Sequence, residues 1–153
     1  EEALPPDPNP FADWSAALFT VGRVQYVLLT NTASLYSMVM YGRGMPNDAL
    51  FLDRVTAYMG EFLCDHGHVF IYRRLVMPAM AGVSFSKALN RRVTGSMNDL
   101  IFQAKYHLTS EDISPWDLSV RLNDVPMSYL SHDKAESRFA RMTIEQPTTG
   151  RIS

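Results

Sequence analysis

The sequence predicts an α+β domain: a small antiparallel β-meander of three to four strands, with about four helices packed on one face. Two observations carry this expectation. Between Trp14 and Tyr41, short runs of strand-forming residues are separated by breaks of two or three residues. From Leu50 onward, apolar residues recur every three or four positions, the period of an amphipathic helix. A length of 153 residues suits one domain with its own core, expected over residues 11–145.

Residues 1–10 hold four prolines and three acids and are expected to be extended or disordered. Ala16 to Val21, Val24 to Thr30 and Ser34 to Tyr41 each read as a strand. Gly22-Arg23 and Asn31-Thr32-Ala33 supply the turns between them. Gly42 to Pro46 ends the meander with two glycines and a proline. Asn47 or Asp48 then caps a helix whose apolar stripe is Leu50, Phe51, Val55, Tyr58, Met59, Phe62 and Leu63, with Gly67 as its terminator. His68 to Met80 reads as a second helix, stopped or kinked near Pro78. Val83 to Lys87 alternates apolar and polar residues and is the fourth strand. A third helix is expected over Ser96 to Leu108, with Met97, Leu100, Ile101, Ala104 and Leu108 buried. A fourth starts at Ser114 or Pro115, another covers Lys134 to Met142, and residues 146–153 form a flexible tail.

Composition removes several function classes. Apolar residues make up 46% and charged residues 20%, which argues against disorder for the body of the chain. No apolar run reaches the ~18–20 residues that span a bilayer, so no membrane contact is expected. The single Cys64 has no internal disulfide partner, which points to a reducing, cytoplasmic setting. Net charge is -2, without the global basic field common in nucleic-acid binders. Arginines outnumber lysines eleven to three.

Asn90 to Gln103 is the segment that stands out. Gly95 permits a tight turn, Ser96 is placed to cap the following helix, and Asp99 sits where a capping-box acid belongs. Such a helix start presents free N–H groups and partial positive charge. With Arg91 and Arg92 just upstream and Lys87 nearby, it suits a phosphate or carboxylate. A well-capped helix with solvated arginines accounts for the same residues.

The segment also resembles the signature of an uncharacterised bacterial family in which Lys-Thr-x-Asn-Arg-Ser-x-x-Gly-Ser-Met-Asn-Asp recurs. The chain matches at Lys87, Asn90, Arg91, Gly95, Ser96, Met97, Asn98 and Asp99, and departs at Ala88 and Arg92. Further similarity lies in Asp13-Trp14, in Asn31 with Leu35-Tyr36-Ser37, and in Arg121-Leu122-Asn123 followed by Pro126-Met127. The resemblance implies a shared fold and supplies no activity. A buried network tying loops together would produce the same signature.

Other constellations carry less. Cys64, His66 and His68 are metal-compatible, but no second cluster completes a zinc pattern, and neither metal nor cofactor is expected. Ser84-x-x-Lys87 and Ser96-x-Asn98 match elements of penicillin-binding acyl-transfer enzymes, yet no Lys-Thr-Gly follows. His107 and His132 are isolated. Met38, Met40, Met59, Met77, Met80 and Met97 are expected in the core, and Tyr26, Tyr36 and Tyr41 on the sheet surface or at an interface.

Three functional readings follow. The first is a non-enzymatic binding domain that takes an anionic ligand or nucleic acid through Lys87, Asn90, Arg91, Arg92, Ser96, Asn98 and Asp99. The second is a small hydrolase or nuclease using Asp99, Asn98, Arg91 and a histidine. The third is a structural subunit of a homo-oligomer, associating through the Tyr/Met face of the sheet.

Overall fold

The computed structural model describes Phe11 and residues 14–42, 48–80, 91–124, 126–127 and 133–145. The expected N-terminal segment 1–10, the fourth strand at Val83 to Lys87, His132 and the tail lie outside the described residues. Strands β1 (Trp14–Val21), β2 (Val24–Asn31) and β3 (Ser37–Tyr41) form one antiparallel sheet in chain order. Val21 pairs with Val24 across a two-residue turn, where Gly22 takes a φ of 61°. Glycine in that first position suits the mirror-image turns whose twist matches a hairpin.

The connection from β2 to β3 is longer than the sequence suggested, running from Thr32 to Tyr36, so β3 begins at Ser37 rather than Ser34. The Asn31 side-chain oxygen accepts from the Ser34 N–H at 3.0 Å and the Ser34 hydroxyl at 2.8 Å. The Asn31 N–H donates to the Tyr36 carbonyl, and the Leu35 N–H returns to the Asn31 carbonyl, both at 2.8 Å. Leu35 closes this knot with a φ of 64°, a left-handed conformation that costs a non-glycine residue about 1–2 kcal/mol. Asn31, Ser34 and Leu35 are all buried, so the surrounding packing holds the strained residue in place.

Helices α1 (Asp48–Asp65), α2 (Val69–Ile71), α3 (Met77–Met80), α4 (Arg91–Ser110), α5 (Pro115–Asn123) and α6 (Ala135–Glu145) make up the rest, with a two-residue β4–β5 pairing of Pro126–Met127 and Asp133–Lys134. α1 ends as expected at Gly67, whose φ of 84° lets the His68 N–H reach back to the Leu63 carbonyl at 2.8 Å. The expected second helix is interrupted by a π segment, Tyr72–Val76, that joins α2 to α3. Pro78 has no N–H and its ring crowds the carbonyl of Arg74; the wider turn spans that residue. α5 starts as predicted, with Ser114 accepting from the Asp117 N–H at 3.1 Å and Pro115 in the first turn.

The helices pack on the sheet, but on both faces rather than one. Val27, Leu29, Met38 and Met40 face Val55, Met59 and Phe62 of α1 and Phe139 of α6. Phe19, Tyr26, Leu28 and Val39 face Met97, Leu100 and Ala104 of α4 and Leu118 and Leu122 of α5. The physical reason is visible in β2, whose run Val27-Leu28-Leu29 is apolar on both sides of the strand, the pattern of a doubly covered strand. Tyr26 on β2 and Tyr36 just before β3 are therefore interior, whereas Tyr41 at the end of β3 is exposed. Met38, Met40, Met59 and Met97 are core residues as expected, whereas Met77 is half exposed.

The outer edge of β3 has no strand beside it among the described residues. Side chains take its place. Asn123 accepts from the Ser37 N–H at 2.7 Å and donates to the Ser37 carbonyl at 2.8 Å. Ser119, four residues earlier on the same face of α5, accepts from the Val39 N–H at 2.8 Å, and the Tyr58 hydroxyl donates to the Val39 carbonyl at 2.6 Å. These bonds seal an edge that would otherwise template further strand pairing and fix α5 against the Tyr36 loop.

Candidate functional site

The structure redraws the loop-to-helix segment. α4 is already helical at Arg91, so Gly95 is not a turn and Ser96 is not a cap. The free N–H groups of a helix start belong to its first four residues, which places them before Ser96. Arg91 and Arg92 favour the helical state, and packing of the Met97–Leu100–Ala104 stripe outweighs the roughly 1 kcal/mol that one helical glycine costs. Ser96 is buried against the core, while Asn98 and Asp99 are exposed. Among the described side chains of the segment, Ser96 is therefore turned inward and Asn98 and Asp99 outward. Lys87 and Asn90 lie outside the described residues.

A different set of residues does converge. The Asn31–Ser37 knot, the end of α1, the end of α5 and the start of α6 enclose a cavity of about 250 Å³ lined by Tyr36, Phe62, His66, Arg121, Asn123 and Glu136, with Val120 and Asp124 at its margin. Tyr36 is fully buried, stacked on Phe139 at 4.5 Å and edge-on to the His68 ring at 5.8 Å. Its hydroxyl finds no hydrogen-bond partner among the described residues. Leaving such a group unpaired costs about 1–3 kcal/mol. Burial, and then the negative charge of Glu136, hold the phenol far above its ordinary pKa, so it is a neutral donor and acceptor at physiological pH.

The surrounding polar groups are more settled. His68, itself buried, donates through Nε2 to Glu136 at 2.8 Å. His66 donates through Nδ1 to the Phe62 carbonyl at 2.8 Å and lies against the Phe62 ring. Arg121 is turned to the surface, where one terminal nitrogen meets both Glu111 carboxylate oxygens at 2.6 and 2.8 Å. That bond, followed by one from His107, holds the Glu111 carboxyl below its ordinary range, and Glu111 in turn raises Arg121. Cys64, His66 and His68 do not form a ligand set: among the described residues no group of three or more His, Cys, Asp or Glu could hold a metal ion.

A second groove, about 580 Å³, runs between α1, the end of β3 and the start of α5, floored by Met40, Tyr41, Tyr58, Pro115 and Trp116. It is larger but chemically quieter. Burial pushes Tyr58 up to about 12, and its hydroxyl is already spent on Val39. The smaller cavity, with an unpaired buried hydroxyl, is the stronger candidate.

A family described as a domain of unknown function (DUF6933) matches residues 1–138. The chain belongs to that family. No curated protein matches this DUF6933 domain. Two segments that carried the resemblance in the sequence, Leu35-Tyr36-Ser37 and Arg121-Leu122-Asn123, meet at the cavity through the Ser37–Asn123 bonds. In the DUF6933 chain, then, eighty-six residues of separation close into one wall. Sequence reasoning did not single out Glu136 or the unpaired state of Tyr36. The resemblance drew attention to Tyr36, but no local pattern links it to α6.

Proposed function

We propose that this domain is a non-enzymatic binding protein and that its ligand occupies the cavity beside Tyr36. The observation that carries the reading is the fully buried Tyr36 hydroxyl, without a partner among the described residues, beside a space of about 250 Å³. The strained Leu35 that presents Tyr36 supports it, since strain held by packing collects at functional positions. A catalytic reading finds less support. His68 and Glu136 are bonded to each other, and neither cavity is lined by Asn98 or Asp99. The interface reading loses its surface, because the chain's own helices cover both faces of the sheet.

The test is an NMR titration of the full chain with small neutral, cationic and anionic molecules, following the Tyr36 and His66 ring signals. Saturable shifts of both rings by at least one class are expected, weakened by Tyr36→Phe. Rings that stay unperturbed by every class would defeat the reading.

A second reading keeps the anion or nucleic-acid ligand near the start of α4. It is favoured by Arg91 and Arg92 in the first turn of a twenty-residue helix with no acid there, next to Lys87 and Asn90 in sequence. Formal charge and the helix dipole then act in the same sense. Inorganic phosphate titrated against the chain and an Arg91→Ala/Arg92→Ala variant tests it. Binding that weakens with salt and with the double substitution is expected; binding that ignores both sinks it.

A further inference from the structure

Helices cover both faces of the sheet, but its two edges differ. The β3 edge is sealed by Asn123, Ser119 and Tyr58; the β1 edge has no strand beside it among the described residues. Register fixes which backbone groups stand open there. The Gly42 N–H donates to the Gln25 carbonyl, so Gln25, Val27 and Leu29 bond toward β3, and Tyr26, Leu28 and Thr30 toward β1. Their partners Phe19, Ala17 and Ser15 are thereby satisfied, and the N–H and carbonyl groups of Ala16, Leu18 and Thr20 point away from the sheet. The strand carries none of the usual protections of an edge. Trp14–Val21 holds no charged residue and no proline, and its one-to-one register admits no bulge. Apolar surface collects in the same place. The most exposed large apolar side chains of the described residues are Phe102 (76%), Tyr106 (65%) and Leu18 (62%), on β1 and on α4, the helix that packs on it. His107 on α4 and Arg121 on α5 share Glu111. The flank of α4 that carries Phe102, roughly 140° round the helix from His107, therefore faces away from α5 and toward the β1 side.

We propose that the β1 edge is a homodimer interface, on which β1 of a second copy of this chain pairs antiparallel about a two-fold axis at Leu18. The register follows from the open groups. Leu18 faces Leu18 of the second copy, and Ala16 faces Thr20, each pair exchanging both of its N–H···O bonds. An uncharged strand sets no like charges opposite each other in this arrangement. The two Leu18 side chains meet on one face of the joined sheet, and on the other the two α4 helices lie side by side. α4 packs on both β1 and β2, so it sits about half a strand spacing inside the edge. With ~4.8 Å between paired strands, the two α4 axes come ~10 Å apart, a helix-packing distance. Phe102 is then covered by the second copy. A lone extended peptide would pair the strand and leave Phe102 in water, which selects the second copy as occupant. The Tyr36 cavity lies beyond β3, at the other edge, and pairing through β1 leaves it open.

Sedimentation of the full chain from about 10 µM to about 1 mM, with amide hydrogen exchange at both ends of that range, tests the interface. A dimer is expected whose Ala16, Leu18 and Thr20 amides are protected at high concentration and exchange at least about tenfold faster on dilution to monomer. The amides of Ala17 and Phe19, bonded to β2, should stay protected throughout. Leu18→Lys sets two like charges face to face at an exposed position and is expected to weaken association at least about tenfold. Thr20→Pro removes an outward N–H without touching a bond to β2, and should weaken association likewise while the amide spectrum shows the fold retained. A chain that stays monomeric at about 1 mM overturns the interface. So does a dimer that leaves the Ala16, Leu18 and Thr20 amides unprotected, or one indifferent to both substitutions.

Discussion

The side-chain amide of Asn123 pairs with the backbone of Ser37 as a neighbouring strand would, accepting from its N–H at 2.7 Å and donating to its carbonyl at 2.8 Å. Both residues are buried. A single helical residue thus replaces one rung of a β-ladder, and in doing so sets the distance between α5 and the loop that carries Tyr36. The same two bonds that close the sheet edge also build one wall of the cavity.

Asn123→Ala leaves the Ser37 N–H and carbonyl unpaired in the interior. At about 1–3 kcal/mol for each buried group left unsatisfied, a loss of about 2–6 kcal/mol is expected in urea unfolding. Asn123→Asp keeps the acceptor but sets a carboxylate oxygen against the Ser37 carbonyl, and a loss at least as large is expected. A change of less than about 0.5 kcal/mol for Asn123→Ala, the range of ordinary surface substitutions, would mean that water or a shifted side chain takes over the edge.

Tyr36→Phe should act in the opposite direction. It removes a hydroxyl without a partner and keeps the ring stacked on Phe139 and packed beside Phe62. A gain of up to about 1 kcal/mol in the unliganded chain is expected from removing the desolvated group. Stability gained together with binding lost is the behaviour of a residue kept for function rather than for folding. A destabilised Tyr36→Phe would show that the hydroxyl is paired in solution.

The fold was legible wherever one residue type dictates one local geometry. Gly22 set a hairpin, Gly67 a helix end, Ser114-Pro115 a helix start, and residue pattern marked β1 to β3, α1 and α4 to α6 in order, though not the short β4–β5 pairing. Two features were not legible, for physical reasons. The number of covered faces is a tertiary property, and the Val27-Leu28-Leu29 run hints at two only once β2 is known to be the central strand. The cavity depends on contacts such as Ser37 to Asn123 and His68 to Glu136, formed between residues far apart in the chain. The same limit misplaced the start of α4: Gly95-Ser96 has the letters of a turn and cap, yet packing of Met97, Leu100 and Ala104 extends the helix through them.

On the surface, Glu111 offers a pH test with a definite sign. Its hydrogen bond from Arg121, then that from His107, depress its folded-state pKa below the ordinary 4.5. A carboxylate so depressed contributes stability that is present above the unfolded pKa and is lost as pH falls through the lower, folded value. The Glu111 carboxyl followed by NMR should therefore titrate below 4.5 and return toward it in Arg121→Gln. High salt should reduce the difference, since the pair is exposed to solvent. A Glu111 titration unchanged by Arg121→Gln would assign the depression to another group.

The sharpest discrimination lies at Gly95. As a turn residue with positive φ it would resist substitution, and Gly95→Ala would cost stability. Inside α4 it is exposed, and an added Cβ would meet nothing within 4 Å. Alanine loses less backbone entropy than glycine on entering a helix, so Gly95→Ala is expected to stabilise the domain by about 0.5–1 kcal/mol. Ser96→Ala makes the complementary case. A lost cap would cost about 0.5–2 kcal/mol, whereas a serine inside a helix, buried beside Met97, should yield to alanine with little change. Thermal unfolding of the two variants decides the matter. A destabilised Gly95→Ala together with a destabilised Ser96→Ala would restore the turn and cap, and with them a helix start at Ser96 open to an anion.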